Sequence, residues 1–313
     1  MAPRLGYLLP TRERIMEGRD ETRSLLALAD RAESLGFDSV WVGDSLTARP
    51  RHEPLALLAA VAGRTRRVAL GTAVMLPALR NPVLLAHQVS TLDQISEGRL
   101  ILGVGIATDV ANIRAEFSSV GVPFEQRGAR MMELLRLSRA LWTGEPVTWN
   151  GRWPLAEQRI GPKSYRPGGP PIWLAGSKPL ALRRIATLLD GWFPNDPDPA
   201  RWRETRAEID AQARAAGRNP NDITGAIYLT LTVDENAATA NARLNDYLER
   251  YYGVPAAATR RRQASYAGPA GGLGDWLSAY TEAGASHLVL RFAGDHERHQ
   301  DIVAKLRQDL GWN

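Results

Sequence analysis

The chain of 313 residues contains no cysteine, and its only lysines are Lys163, Lys178 and Lys305, so nearly all of its basic charge is arginine. Without cysteine there is no disulfide, no thiolate nucleophile and no cysteine-ligated metal. No apolar run approaches the roughly 20 residues that cross a bilayer, and the first residues lack a signal-peptide pattern. We therefore predict a cytoplasmic protein that makes no membrane contact.

Several catalytic motifs are also missing. The segment 103–105 lacks the third glycine of a dinucleotide-binding fingerprint, and neither a phosphate P-loop nor a Gly-x-Ser-x-Gly elbow occurs. His296 and His299 flank Glu297-Arg298, which is not the zinc-binding spacing His-Glu-x-x-His. We predict that both histidines are exposed and that the protein holds no metal.

The net charge is +5 and the isoelectric point is about 9.7. The basic clusters at 64–67 and 260–262 are short and are not interleaved with aromatic residues. A nucleic-acid surface would need a longer basic stripe or a known binding module, so we predict no nucleic-acid partner. Positive charge does favour anionic ligands, because it steers them toward the protein.

Short apolar runs alternate with helical patterns, which is typical of parallel β-α units. Eight such runs occur, at 5–9, 40–42, 68–76, 100–104, 172–175, 191–194, 223–233 and 287–292. Eight units predict an α/β protein with a closed (β/α)8, or TIM, barrel. We expect a single domain over 1–313, with excursions at about 106–126, at 143–171 between strands 4 and 5, and at 252–274, an irregular segment before strand 8.

In TIM barrels the active site lies where the carboxyl ends of the strands meet. The sharpest local signal follows the fifth strand, where Gly176, Ser177 and Lys178 open a helix whose N-terminus can bind an anion. Ser177 acting only as a helix cap is the alternative. The other predicted site residues at strand ends are Asp44, Ser45, Gly105, Ile106, Trp192 and Arg291. Four aromatic residues either line the pocket or belong to the barrel core: Trp41, Trp192, Tyr228 and Phe292.

Five blocks of the sequence resemble the bacterial-luciferase-like flavin-dependent oxidoreductases in their order and spacing. The blocks are 36–46, 71–77 with 80–82, 92–100 with 102–105, 170–177 and 186–192. The resemblance implies a TIM barrel that binds a reduced flavin or deazaflavin at its mouth. It also implies a cis peptide at Ala73-Val74 behind the cofactor ring and a phosphate-binding role for Gly176 and Ser177. Asp44 and the residue after it would face the ring and the substrate.

The chain departs from the family pattern at the positions of acid–base residues. Many relatives have a histidine directly after the second-strand aspartate, where this chain has Ser45. Deazaflavin enzymes that oxidise alcohols often add a glutamate after the fourth strand, and 105–109 contains none. The cysteine and arginine that luciferase carries near Gly105 and Ile106 are also missing. The nearest candidates for catalysis are therefore Asp44, Ser45 and Arg291.

A site with few titratable residues suits a reaction in which the cofactor supplies the reactive group, while the protein positions the reactants and excludes water. We predict a monooxygenase that uses reduced FMN and O2 on a small organic substrate, with a separate flavin reductase as partner. One alternative is hydride transfer with coenzyme F420, a cofactor of GC-rich bacteria whose proteins share this arginine- and alanine-rich composition. A second alternative is a flavin-binding protein without turnover. The resemblance also implies a homodimer.

Overall fold

The computed structural model describes residues 2–312, which contain eleven strands. The strands are β1 (Arg4–Leu8), β2 (Ser39–Val42), β3 (Ala69–Thr72), β4 (Leu100–Val104), β5 (Val147–Trp149), β6 (Leu155–Gln158), β7 (Ile172–Leu174), β8 (Gly191–Trp192), β9 (Thr224–Val233), β10 (Ser265–Gly268) and β11 (His287–Phe292). Eight of these pair in parallel in the order β1, β2, β3, β4, β7, β8, β9, β11, and β11 pairs back to β1. The predicted TIM barrel is confirmed.

The helices lie between the barrel strands. They are α1 (Thr11–Met16), α2 (Arg23–Ser34), α3 (Pro54–Arg64), α4 (Pro82–Ile95), α5 (Ala111–Ser119), α6 (Arg127–Leu141), α7 (Pro179–Leu188), α8 (Pro199–Ala215), α9 (Ala237–Tyr252), α10 (Ala256–Arg260), α11 (Ala270–Glu282) and α12 (His296–Asp309). None of the helices in residues 2–312 is long and apolar enough to span a membrane.

The excursions contain more regular structure than the sequence indicates. The segment 106–126 includes α5, and 143–171 includes the antiparallel hairpin of β5 and β6. The segment 252–274, predicted to be irregular, contains α10, β10 and the start of α11. The reason lies in β9, which is ten residues long and extends well beyond the two-residue β8 beside it. β10 pairs with the part of β9 that would otherwise be an open edge, from Thr230 to Val233.

Helix α12 begins at its first histidine, because the Asp295 side chain caps the helix by accepting a hydrogen bond from the Arg298 N–H at 3.0 Å. This start places His299 on the face that packs against the barrel, where it is fully buried and accepts from the Val233 N–H at 2.9 Å. His296 is largely covered and lies 2.8 Å from the Tyr7 hydroxyl. The prediction that both histidines are exposed was wrong.

The floor of the barrel lumen is a closed aromatic and aliphatic layer. Its buried members are Leu8, Trp41, Ile101, Trp173, Phe193, Ala226 and Val289. At the amino-terminal end of the lumen, Ser39 accepts a hydrogen bond from the Trp41 indole at 2.6 Å and lies 2.7 Å from Nε2 of His287. The lumen is thus filled below, and the strand ends above it are left as the place for a ligand.

Buried His287 is expected to make stability depend on pH. Burial lowers the pKa of its imidazole to about 3, with a smaller contribution from Arg4, whereas an unfolded histidine titrates near 6.5. Below pH ~6.5 the unfolded chain therefore binds a proton that the folded protein does not, and the free energy of unfolding falls by about 1.4 kcal/mol per pH unit.

The measurement is urea denaturation at pH 7, 6 and 5 for the wild type and for His287→Gln. Between pH 7 and 5 the wild type should lose about 2 kcal/mol more than the variant, because only its imidazole protonates on unfolding. Carboxylates titrate alike in both proteins, so they cancel in the comparison. The same pH slope in both proteins would contradict a neutral, buried His287.

Candidate functional site

Asp44, directly beyond the second strand, is held in a buried ion pair. Its carboxylate accepts from Nη1 and Nη2 of Arg80 at 2.6 and 2.9 Å, and from the Leu76 N–H at 2.9 Å. The side chain of Asp44 is 1% exposed, and that of Arg80 is 13% exposed. Asp44 therefore fixes the chain that follows β3, with its negative charge already neutralised.

Ser45 is paired with Glu116 of α5, a residue that the sequence analysis missed. The Ser45 hydroxyl donates to Oε1 of Glu116 at 2.6 Å, and the same oxygen accepts from the N–H groups of 46, 47 and 48 at 2.5, 2.9 and 3.2 Å. Glu116 is fully buried, and its Oε2 has no hydrogen-bond partner. The signal was available in α5, where an acidic residue stands on the buried face between Ile113 and Phe117. Glu116 organises the loop after β2.

The peptide bond between Ala73 and Val74 is cis, as the resemblance implies. The Ala73 N–H donates to the carbonyl of Val42 at 2.8 Å, and beyond the cis bond the Met75 N–H donates to the carbonyl of Gly103 at 2.8 Å. Ala73 and Val74 are partly exposed and pack on the closed aromatic layer of the lumen. They lie directly after β3 at the barrel mouth, and we call this pair of residues the platform.

The end of the fourth strand packs against the platform. The Gly105 N–H donates to the Met75 carbonyl at 2.9 Å, and a Cβ added at Gly105 would lie 2.8 Å from a methyl group of Val74. Ile106 is partly buried beside it. Ala107 follows with φ of 64°, in the left-handed region that L-residues seldom adopt. The structure thus brings the predicted residues of the third and fourth strand ends together.

The turn after β7 presents free backbone donors. Gly176 has φ of 143°, a conformation that favours glycine, and its carbonyl accepts from the Trp192 indole at 3.0 Å. Ser177 and Lys178 are exposed, and no side chain caps the N-terminus of α7. Pro179 has no N–H, and the N–H groups of 181 and 182 donate to the Lys178 carbonyl at 2.8 and 3.1 Å. Among the described residues, the N–H groups of 176–178 and of 180 have no acceptor, and these remain available to an anion.

Two of the predicted aromatic residues lie outside the lumen. Trp192 packs on Trp202 of α8, with ring centroids 5.0 Å apart, and reaches the site only through its hydrogen bond to Gly176. Phe292 packs between Tyr7 and His299, with centroids at 5.2 and 5.4 Å. Trp41 belongs to the lumen floor, whereas Tyr228 lies higher and faces Arg291.

Arg291 points into the barrel mouth and is 1% exposed. Its Nε and Nη2 donate to the hydroxyl of Thr230 at 3.2 and 3.0 Å, and Nη1 donates to the hydroxyl of Tyr252 at 3.1 Å. Four tyrosine rings surround its guanidinium at 4.5 to 5.4 Å: Tyr228, Tyr247, Tyr251 and Tyr252. The predicted site residue is thus a buried cation held by neutral partners.

A cavity of about 580 Å³ lies beside the mouth but outside the lumen. Its walls come from α1, the end of α9 and the loop after β11, and include Tyr247, Tyr251 and His296. Both tyrosines also lie against Arg291, whose guanidinium is 5.2 and 4.5 Å from the centroids of their rings. None of the predicted site residues lines the cavity.

The chain belongs to the luciferase-like monooxygenase family, whose model matches residues 3–312. It is 31% identical to an F420-dependent glucose-6-phosphate dehydrogenase of Amycolatopsis mediterranei, over 91% of this chain and 95% of that protein. It is 30% identical to a 5,10-methylenetetrahydromethanopterin reductase of Methanolobus tindarius, over 71% of this chain and 65% of that protein.

Solved structures show the same fold. An F420-dependent secondary alcohol dehydrogenase in complex with an F420-acetone adduct superposes with a TM-score of 0.83 at 22% identity, covering 98% of each chain. The monooxygenase RslO1 from Streptomyces bottropensis also gives 0.83, at 23% identity, covering 98% of this chain and 99% of that one. The resemblance found in the sequence is confirmed, and the chain is an oxidoreductase of this family.

Proposed function

We propose that the protein is an F420-dependent oxidoreductase that transfers hydride to or from a small organic molecule. The observation that carries the proposal is the match to the F420-dependent dehydrogenase of Amycolatopsis mediterranei along nearly the whole of both chains. Of the hypotheses drawn from the sequence, this is the first alternative, and the relatives support it better than the FMN-dependent monooxygenase.

The residues present fit such a cofactor. The platform at Ala73 and Val74 offers a partly exposed apolar surface to a ring system, and the uncapped start of α7 with Lys178 suits a phosphate. When bound, F420 supplies the hydride-accepting or hydride-donating ring. Ala73 and Val74 would position the ring, and the closed lumen would exclude water from below it. Glu116 and Arg80 hold the two neighbouring loops in place.

The FMN- and O2-dependent monooxygenase is the second candidate. It is favoured by the pairing of the carboxylates near the platform, since Asp44 is neutralised by Arg80 and Glu116 is saturated at one oxygen by four donors. Neither carboxylate is therefore free to act as a general acid or base, and the monooxygenase reaction does not require one. O2 and a flavin reductase belong to this candidate alone. The homodimer and the cytoplasmic location stay predictions.

The test is a parallel anaerobic titration of the apo protein with F420 and FMN, each oxidised and reduced. We expect F420 to bind more tightly than FMN, and turnover with it to proceed without oxygen. Gly176→Ala should weaken F420 binding at least about tenfold, since a Cβ strains the backbone at φ of 143°. Gly217→Ala strains a left-handed glycine in open space elsewhere and should leave binding unchanged. Tight binding of FMN alone would favour the second candidate.

A further inference from the structure

An unusual group of arginines gathers around two adjacent tyrosines at the end of α9. Tyr251 and Tyr252 are the last two residues of α9, and their ring centroids lie 4.9 Å apart. Four guanidinium groups stand over these two rings at 4.5 to 6.0 Å, and we call them the arginine cluster: Arg12, Arg49, Arg51 and Arg291. They come from α1, from the loop after β2 and from β11, so three separate chain segments converge here.

The charge of the arginine cluster is not balanced by carboxylates. Within residues 2–312, none of its four members lies within 4.0 Å of an acidic oxygen. Asp44, one of the nearby carboxylates, is paired with Arg80, and Glu13 accepts from the Tyr247 hydroxyl without a direct ion pair to the cluster. Arg291 is buried and the other three members are partly buried. Neighbouring cations without a counter-charge in contact repel one another, so such a cluster is suited to an anion that arrives from outside.

Three members of the cluster have donors to spare, and the guanidinium of Arg49 donates to no acceptor among the described residues. Nη1 of Arg12 is buried without a hydrogen-bond partner. Arg51 uses only its Nε, which donates to the Arg49 carbonyl at 3.1 Å, so among the described residues no acceptor takes its Nη atoms. A guanidinium with two free Nη donors has the geometry that binds carboxylate or phosphate in a bidentate manner.

Arg51 also connects the cluster to the platform. A Cβ added at Gly43 would lie 2.2 Å from Nη1 of Arg51 and 3.6 Å from the carbonyl oxygen of Ala73. The guanidinium therefore approaches the barrel backbone only because residue 43 is a glycine. It reaches the immediate neighbourhood of the cis peptide on which the proposed cofactor ring would rest.

We propose that the arginine cluster binds an anionic group of the substrate, a carboxylate or a phosphate, and thereby holds the reacting carbon over the platform. This inference rests on the proposed function, because it assigns the substrate class for the same site. The anionic group belongs to the substrate and not to the cofactor, because the turn at Gly176 and the start of α7 form a separate place for the cofactor phosphate. Arg291 and Thr230 form the floor of the subsite, and Arg51 closes it beside the platform.

The first experiment uses inorganic phosphate and acetate as probes of the apo protein. Each is titrated by calorimetry and by thermal shift, against sodium chloride at matched ionic strength. We expect saturable binding of at least one probe, and the probe that binds more tightly identifies the anion as a phosphate or a carboxylate. Arg51→Gln should weaken binding about tenfold or more, equivalent to ~1.4 kcal/mol. Binding no stronger than that of chloride would overturn the proposal.

Two further variants separate anion binding from a general loss of structure. Arg51→Lys keeps the charge without the bidentate fork, so it should bind more weakly than the wild type but more tightly than Arg51→Gln. Arg250→Gln makes the same charge change beside Tyr251, at an exposed arginine paired with Asp246 outside the cluster. It should bind the probe like the wild type. If Arg250→Gln weakens binding as much as Arg51→Gln, only the net charge matters and the subsite does not exist.

A last experiment distinguishes a failure of this inference from a failure of the proposed function. F420 is titrated in the presence and absence of a saturating concentration of the probe anion. Simultaneous binding supports a substrate subsite, whereas competition would overturn it by showing that the cluster holds the cofactor phosphate. If F420 fails to bind while the anion binds in an Arg51-dependent manner, the proposed cofactor is wrong and the anion subsite stands.

Discussion

Replacement of Arg80 by methionine is expected to lower the free energy of unfolding by about 3–5 kcal/mol. The change leaves the Asp44 carboxylate, which is 1% exposed in its side chain, without the two charge-assisted hydrogen bonds at 2.6 and 2.9 Å. Only the Leu76 N–H then remains as a donor to Asp44. Urea denaturation at pH 7 measures the loss directly.

The double variant Asp44→Asn with Arg80→Met tests the reason for the loss. Because it removes the buried charge together with its partner, it should be more stable than Arg80→Met alone, with a coupling of about 1–3 kcal/mol between the two sites. The control is Arg114→Met, which breaks the exposed pairs with Asp109 and Glu125 and should cost less than ~1 kcal/mol. Equal losses for Arg80→Met and Arg114→Met would show that burial is irrelevant here.

The strand ends were predictable because barrel topology follows from a count of apolar runs between helices. That count placed six of the eight strand ends within one residue, but the predicted third and sixth strands, 68–76 and 191–194, extend four and two residues beyond the observed ends at Thr72 and Trp192. The family resemblance added the cis bond at Ala73-Val74, which is confirmed. The outward direction of Phe292 was also predictable from the sequence. Side chains alternate across a strand, so an inward Arg291 requires an outward Phe292, as the structure shows.

The partners of the site residues were not predictable in the same way. Asp44 meets Arg80 across 36 positions, and Ser45 meets Glu116 across 71. Such pairs depend on how loops of irregular length fold over the mouth, and no local period encodes that. The arginine cluster has the same origin, because the short loop that carries Arg49 and Arg51 reaches the end of α9 only in the folded barrel.

Removal of the Glu116 carboxylate is expected to have the second large effect. In Glu116→Ala the Ser45 hydroxyl and the N–H groups of 46, 47 and 48 all lose their acceptor, and the Ser45 hydroxyl does so in a buried position. Hydrogen bonds to a charged group contribute about 1.5–3 kcal/mol each, and they do not add fully, so we expect a loss of about 3 kcal/mol or more in the free energy of unfolding. Glu116→Gln keeps one acceptor oxygen and should lose less.

The effect of Glu116→Ala on ligand binding is more informative than its effect on stability. The loop that Glu116 holds also carries Arg49 and Arg51, so its release should weaken binding of the probe anion at a temperature where the variant is still folded. Exposed Glu125, paired with Arg114 in the same excursion, provides the matched control, and Glu125→Ala should change neither stability nor binding appreciably. If Glu116→Ala is destabilised yet binds the anion like the wild type, then Arg51 is positioned by its contacts with Gly43 and Tyr251 alone, and Glu116 has a purely structural role.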